Sequence, residues 1–342
     1  MAEREESKFL LSICIPTYNR PREFERLLSG LAPQITPEVE LVIRDDSTNL
    51  ETHEFFEKLK VGKGWHVNYI KGEKIGIDAA NLLLVERAQG KYIWWFSDDD
   101  EIRPNALSRV LELVKKYPDI TFMWVNFDFQ VAGNPAVNRE EGFFKDGNEV
   151  LEVLGTNIGL LSSLIFSRKD GLPAMPLAKK HIVGFSFAQL VLIFHVLSGG
   201  GKLFFLRGPY ILCHPTTPEE FKREATKTGK IINETFKTYA VDFYNIVHEF
   251  DGKFSARAIK KILSINFAAA WRGLIIRWIG GWDMPTGKRW TMFKLYWNFP
   301  EVWLAMPILL LPLSINRFLY RIYRVFFSHR KWIFGRSNVA NV

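Results

Sequence analysis

Short apolar runs alternate with helix-spaced apolar positions through the first 130 residues. Phe9–Ile15 reads as a buried strand, and Pro21–Leu31 follows with apolar residues at Phe24, Leu27, Leu28 and Leu31, one face of a helix opened by Pro21. Val39–Arg44, Trp65–Ile70, Lys91–Phe96 and Ile120–Phe129 are further strands. Glu51–Leu59, Ala79–Ala88 and Pro104–Tyr117 are the helices between them, with Gly90 and Pro118 as stop signals. Strands that alternate with helices at this spacing predict an α/β fold, a mostly parallel sheet with helices on both faces. Ligands of such sheets lie beyond the carboxyl ends of the strands, so the segments after Ile15, Arg44 and Phe96 are where chemistry is expected.

The middle of the chain is less regular. Val131–Gly147 is polar and reads as a loop, Ser162–Phe166 as a strand. Asp170–Gly184, with Pro173 and Pro176, reads as a mobile loop, and Phe185–Leu197 as an apolar helix stopped by Ser198 and three glycines. Leu203–Leu206 and Tyr210–His214 read as two short strands, which ends a first domain at residues 1–215. A helical extension over 216–299 follows, with 3.6-type periodicity in Glu219–Phe250 and Phe254–Trp278.

Residues 300–342 differ from everything before them. Val302–Ile315 carries no charge over 14 residues but is interrupted by Pro307 and Pro312, and a spanning helix needs roughly 20 apolar residues. Arg317, Arg321 and Arg324 then share one helical face, and Trp303, Tyr320, Tyr323 and Trp332 are rings that favour a membrane interface. A basic, monotopic amphipathic anchor on an anionic membrane surface is the reading; a buried bundle core is the alternative.

Charge sharpens that picture. The 342 residues carry a net charge of +8, yet Lys253–Val342 holds 15 Lys and Arg against only Asp283 and Glu301. The remainder is therefore net acidic, and the basic tail is the part that meets an anionic partner. Nucleic acid would explain the charge but not the apolar run at Val302–Ile315, so it is not expected as a partner. A hydrophobic content of 47% excludes a disordered chain. Two distant cysteines, Cys14 and Cys213, exclude a disulfide scaffold and fit a reducing compartment. The charged start MAEREESK runs directly into a strand, so no signal peptide is expected.

Three segments carry candidate chemistry. Ser97-Asp98-Asp99-Asp100 puts three carboxylates after a Trp-rich strand, an arrangement costly to ionise unless a cation neutralises it. Hard ions such as Mg²⁺ or Mn²⁺ take one or two carboxylates together with substrate phosphates. Cys14–Pro21 contains Pro16, Thr17, Tyr18, Asn19 and Arg20 at the first strand–helix junction, where helix-start amides and Arg20 could hold a diphosphate and Tyr18 could lie against a base or ribose. Asp45-Asp46-Ser47-Thr48 follows the second strand, where a carboxylate could accept from a base edge or a ribose hydroxyl. Each has a bland reading as a turn, cap or solvated acidic loop, but all three fall at the same end of one sheet.

The segments LSICIPTYNR (11–20), VIRDDST (42–48) and IGIDAANLLLVERAQGKYIWWFSDDDEIRPNAL (75–107) together resemble the family 2 glycosyltransferases of GT-A fold, strongly over 9–130 and loosely to 215. The Ser-Asp-Asp-Asp form is similar to the subgroup of abequosyltransferases, which act in O-antigen assembly. The resemblance implies an inverting transfer from a nucleotide-sugar donor, with Mn²⁺ or Mg²⁺ as cofactor. It implies that Pro16, Thr17, Tyr18 and Arg20 line the nucleotide pocket, that Asp46 reads the base, and that Asn81 lies on the donor side. Asp99 would be the metal carboxylate of the DxD motif, with Asp98 beside it on ribose or metal. His214 could be an extra metal ligand, as in some GT-A enzymes.

One departure from the family pattern stands out. The family offers an acceptor-side Asp where this chain reads Gly184-Phe185-Ser186-Phe187-Ala188-Gln189. His181 and, more remotely, Asp170 are the nearest titratable substitutes for a catalytic base. The expectation is thus a metal-dependent transferase on the cytoplasmic face of the cell membrane, glycosylating a lipid-linked saccharide in cell-surface polysaccharide assembly. The alternatives are a nucleotidyltransferase that forms the nucleotide sugar, and a non-catalytic membrane-bound sugar-binding protein.

Overall fold

The computed structural model describes residues 7–129, 135–182, 187–214, 241–266 and 286–300, together with 302–303, 311–312, 314–315, 318–319 and 321–322. Contacts divide the chain into two compact units, Met1–His214 with Ile246–Ile259, and Pro215–Asn245 with Lys260–Val342. Part of the expected extension therefore returns to the sheet-bearing unit.

The sheet grows outward from β1 (Phe9–Thr17). Parallel to it lie β2 (Val39–Asp45) and β4 (Gly90–Trp95), with β3 (His66–Lys71) parallel to β2 at the edge. β1, β2 and β4 are buried almost throughout, as continuous apolar runs must be when helices cover both faces. Crossovers α1 (Pro21–Leu31), α2 (Glu51–Lys60) and α3 (Ile77–Arg87) supply those helices. Pro21 opens α1, and its buried stripe is Phe24, Leu27, Leu28 and Leu31, the four positions the spacing singles out.

Beyond β4 the direction reverses. β8 (Leu164–Ser167) runs antiparallel to both β4 and β6 (Ile120–Phe129), and β9 (Lys202–Cys213) runs parallel to β6. The short β5 (Glu101–Ile102) and β7 (Gly142–Phe143) both pair with β9, and the order is β3-β2-β1-β4-β8-β6-β9-β5. The carboxyl ends of β1, β2, β4, β6 and β9 thus share one edge with the amino end of β8. At the opposite edge buried Glu40 ties the strands together: its Oε1 accepts from the Ser12 hydroxyl and from the backbone N–H groups of Gln89 and Gly90.

Several irregular segments differ from the sequence expectation. Of Asp170–Gly184, expected as a loop, the described part up to residue 182 is largely helical: α6 (Arg168–Gly171), a 3₁₀ turn at Leu172–Ala174 and α7 (Met175–Lys180). Pro173 and Pro176 stand in first turns, where no donor is required of them. The expected pair of strands at 203–214 is the single β9, which pairs with β6 up to Leu206 and again from Ile211, with the residues around Gly208-Pro209 bulging out between Val125 and Phe127 of the register. β7 lies inside the expected Val131–Gly147 loop. α5 (Gly147–Leu154) follows it, capped by Asp146, which accepts from the Glu149 N–H. α4 (Ala106–Lys116) and α8 (Gln189–Ser198) match expected helices with trimmed starts.

Most of the expected helix Glu219–Phe250, the later half of Phe254–Trp278 and most of the expected membrane-facing segment 300–342 lie outside the described residues. Helices at Phe243–His248 and Thr286–Tyr296 are described. In the second unit Tyr296 is buried against Tyr244, whereas Trp290, Trp297, Trp303, Phe318 and Leu319 are exposed. Among the described residues no helix is long and apolar enough to cross a membrane.

Candidate active site

The three sequence segments meet at the carboxyl edge. Register sets Thr17 of β1 against Asp45 of β2, and the Asp46 N–H donates to the Thr17 carbonyl at 3.0 Å. Asn19 adopts a left-handed conformation (φ 54°), which a short polar side chain tolerates. Its N–H donates to Ser47 Oγ at 2.9 Å, and its Oδ1 accepts from the Thr48 N–H at 2.9 Å. The first and third segments are therefore fastened to each other by side chains, not only by the sheet.

Arg20 fastens the first segment to the triple-acid turn. A single guanidinium nitrogen, Nη1, lies 3.1 Å from Asp98 Oδ1 and 2.7 Å from Asp99 Oδ2. The Ser97 hydroxyl and Arg26 complete the turn, the former donating to Asp99 Oδ1 and the latter to the Asp99 carbonyl at 2.6 Å. Asp98 and Asp100 are buried, while the Asp99 side chain is 31% exposed. Burial pushes the Asp98 carboxyl up to about 6 against the pull of Arg20. Asp100 goes up to about 7, first through burial and then through the Asp99 charge. Of the three carboxylates, Asp99 is the one that presents itself to solvent.

Asp46 is buried and already engaged. Its Oδ1 accepts from Arg44 Nε at 2.6 Å and its Oδ2 from the Ile75 N–H at 2.9 Å. Arg44 also donates to the Glu73 carbonyl, so Asp46 is held rigidly, with one partner on each carboxylate oxygen. Tyr18 is 36% exposed, and Lys74 Nζ lies 3.9 Å from its ring centroid. Pro16 and Thr17 are buried in β1, and the Thr17 side chain faces Asp98.

A family model described as glycosyl transferase family 2 matches residues 12–166, the stretch that contains all three turns. Over that stretch the chain matches glycosyl transferase family 2. It is similar to abequosyltransferase RfbV of Salmonella typhimurium, at 24% identity over 69% of this chain and 76% of that protein. It is also similar to a GalNAc(5)-diNAcBac-PP-undecaprenol beta-1,3-glucosyltransferase of Campylobacter jejuni, at 24% identity over 30% of this chain and 33% of that one. Among solved structures, S. aureus TarS 1-349 in complex with UDP-GlcNAc superposes with a TM-score of 0.58 at 15% identity, covering 86% of this chain and 81% of that one. That likeness shows the GT-A-like fold.

The residues at the triple-acid turn suit a divalent ion. Asp98 and Asp99 give hard oxygen donors to one point in space, now taken by a cationic nitrogen. Among the described residues no group of three or more His, Cys, Asp or Glu side chains is arranged to cage an ion. Two carboxylate oxygens at one point are a donor set that Mg²⁺ accepts when phosphate oxygens complete its shell. His214 lies close by: its Nε2 is 2.6 Å from Glu101 Oε1, and Glu101 also meets Arg26 Nε at 3.0 Å. The structure thus brings His214 to the turn's neighbour but commits it to Glu101.

The acceptor side is less complete. His181 Nε2 lies 3.1 Å from Glu249 Oε1, and Ala188 N–H donates to buried Asp78 at 3.3 Å. Residues 183–186 of the segment that lacks the family carboxylate lie outside the described residues. Asp170 is not brought to the site. β8 runs antiparallel to β4, with Ser167 opposite Tyr92, so the residues after β8 lie at the amino edge of the parallel strands. Asn81 is buried in α3 with neither amide atom hydrogen-bonded, and its carbonyl accepts from Trp95 Nε1 at 3.4 Å.

Sequence reasoning missed Ser162. Its Oγ accepts from the Ser97 N–H at 2.9 Å and donates to Asp100 Oδ2 at 2.5 Å, while its carbonyl accepts from Trp94 Nε1 at 2.7 Å. Cys213 adds its thiol to Asp100 from β9. These partners come from positions 65 and 116 residues down the chain from Ser97 and from the next strand but two. A serine before a short apolar strand carries no local signal of that role.

Proposed function

We propose that this transferase moves a sugar from a nucleotide-sugar donor to a lipid-linked saccharide, with inversion at the anomeric carbon. The observation that carries the reading is the convergence of Tyr18, Arg20, Asp46 and the Asp98-Asp99 pair on one edge of the sheet. Arg20 and the α1 amino end would bind the diphosphate, Asp46 the base or ribose, and Asp98 and Asp99 a Mn²⁺ or Mg²⁺ ion. That ion, when bound, would stabilise negative charge on the departing diphosphate. Asn81, buried with a free amide, would face the donor sugar. His181, the titratable residue nearest in sequence to the segment without the family carboxylate, would be the base that takes the acceptor proton.

A lipid-linked acceptor is supported by the undecaprenol-diphosphate substrate in the name of the Campylobacter relative and by the basic tail with its exposed rings at Trp303, Phe318 and Leu319. An enzyme held at the membrane meets such an acceptor at high effective concentration, and the cytoplasmic face is the proposed location. Thermal unfolding against a panel of nucleotide sugars, with and without Mn²⁺, tests the donor reading, because a ligand of the folded state raises stability by mass action. An ion-dependent rise that vanishes in Asp99→Ala supports it; no rise with any donor refutes it. Loss of binding to anionic vesicles on removing residues 300–342 tests the membrane reading, and unchanged binding refutes that part.

A further inference from the structure

Arg20 stands where a divalent ion would stand. Its Nη1 touches Asp98 Oδ1 and Asp99 Oδ2 at 3.1 and 2.7 Å, so one cationic nitrogen bridges both carboxylates. A divalent ion held by these two carboxylates would compete with that nitrogen for the same two oxygens, the hard donors that Mg²⁺ prefers. The two cations would also repel each other there.

The backbone beneath Arg20 does not give way. Asn19 is pinned by Ser47 and Thr48, and the Arg20 carbonyl accepts from the Phe24 N–H at 3.0 Å as α1 begins. The side chain itself is 34% exposed. A guanidinium released here hangs from the amino end of α1, where a diphosphate is favoured and where its planar fork suits phosphate oxygens.

We infer that Arg20 is a resident counter-ion which the divalent ion must displace, and which the donor diphosphate captures once displaced, so that ion and nucleoside diphosphate bind cooperatively. This rests on reading Asp98-Asp99 as the donor-side ion site. The diphosphate lowers the cost of ion entry by giving Arg20 a new anionic partner. The ion raises diphosphate affinity by freeing Arg20, and the two effects are equal by linkage.

Binding of Mn²⁺, read from the paramagnetic resonance signal of the free ion, tests this without any turnover. In the unaltered protein Mn²⁺ alone binds weakly, and saturating UDP, GDP, CDP or dTDP, whichever the protein accepts, tightens it by about 10- to 100-fold, within the usual span of such couplings. Arg20→Met removes the competitor: Mn²⁺ alone then binds about 10-fold tighter, and the nucleotide effect shrinks by about the same factor, leaving only the part that direct contact of ion and phosphate supplies. Arg20→Lys keeps a cation and stays near the unaltered protein. Arg20→Met with Mn²⁺ affinity unchanged or weaker overturns the inference. So does the unaltered protein, independently of any variant, if ion and nucleotide bind without influencing each other. Failure of the underlying reading looks different: Mn²⁺ then fails to bind even with every nucleotide present, and Asp99→Asn changes nothing.

Discussion

Ser162→Ala removes one hydroxyl that does two things for the triple-acid turn. It accepts from the Ser97 N–H and donates to Asp100 Oδ2, and both groups are left short of a partner in a site that admits little water. A buried polar group stripped of its partner costs about 1–3 kcal/mol, with the upper end for a charged one. The pH dependence follows from Asp100. Burial and Asp99 raise its carboxyl to about 7 in the folded protein, and the Ser162 bond pulls it down. A raised carboxyl favours folding where it is protonated and opposes it as pH rises through the folded value. At pH 5 Asp100 is neutral, and the variant loses two ordinary hydrogen bonds, about 2 kcal/mol in sum. At pH 8 it is ionised, and the lost bond is charge-assisted, so the loss grows to about 3–4 kcal/mol. Urea unfolding of both proteins in EDTA at pH 5 and pH 8 measures the two differences. Ser162→Thr keeps the hydroxyl and recovers most of the loss. A difference under about 0.5 kcal/mol at both pH values, or one that shrinks toward pH 8, refutes the assigned role.

Gly72→Ala places a Cβ 2.6–2.9 Å from the Arg44 guanidinium; displacing Arg44 releases Asp46, and nucleoside diphosphate affinity by calorimetry is expected to fall about 10-fold for the roughly 1.4 kcal/mol at stake. Glu40→Ala strips acceptors from the Gln89 and Gly90 N–H groups at the far edge and is expected to cost about 2–4 kcal/mol of stability, while the folded variant binds the nucleotide as the unaltered protein does. Asp170→Asn, at the edge away from the turn, is expected to leave kcat within about 2-fold; a fall beyond about 10-fold, some 1.4 kcal/mol in the barrier, would place Asp170 in the reaction after all.

The legible part of the site was the part carried by contiguous residues. Buried parallel strands announce themselves as apolar runs, and the turns after Ile15, Arg44 and Phe96 follow from the position of the strand ends. The helices at Arg168–Lys180 were hidden because two prolines read as breakers, although each stands in a first turn where it does no harm. β9 was hidden because Gly208-Pro209 reads as a break, although pairing to β6 continues on both sides of it.

By itself the sequence determined the main strands and helices of the first 130 residues, that their loops gather at one edge, and which carboxylates stand there, because periodicity and strand ends are local properties. Only the tertiary structure decided how those carboxylates are used. It gave Arg20 to Asp98 and Asp99, Arg44 to Asp46, and Ser162 to Asp100, and it sent Asp170 to the far edge by reversing β8. The physical reason is range: a buried charge takes as its partner whatever group the packing places within about 3 Å, and strand order, not position along the chain, sets that neighbour.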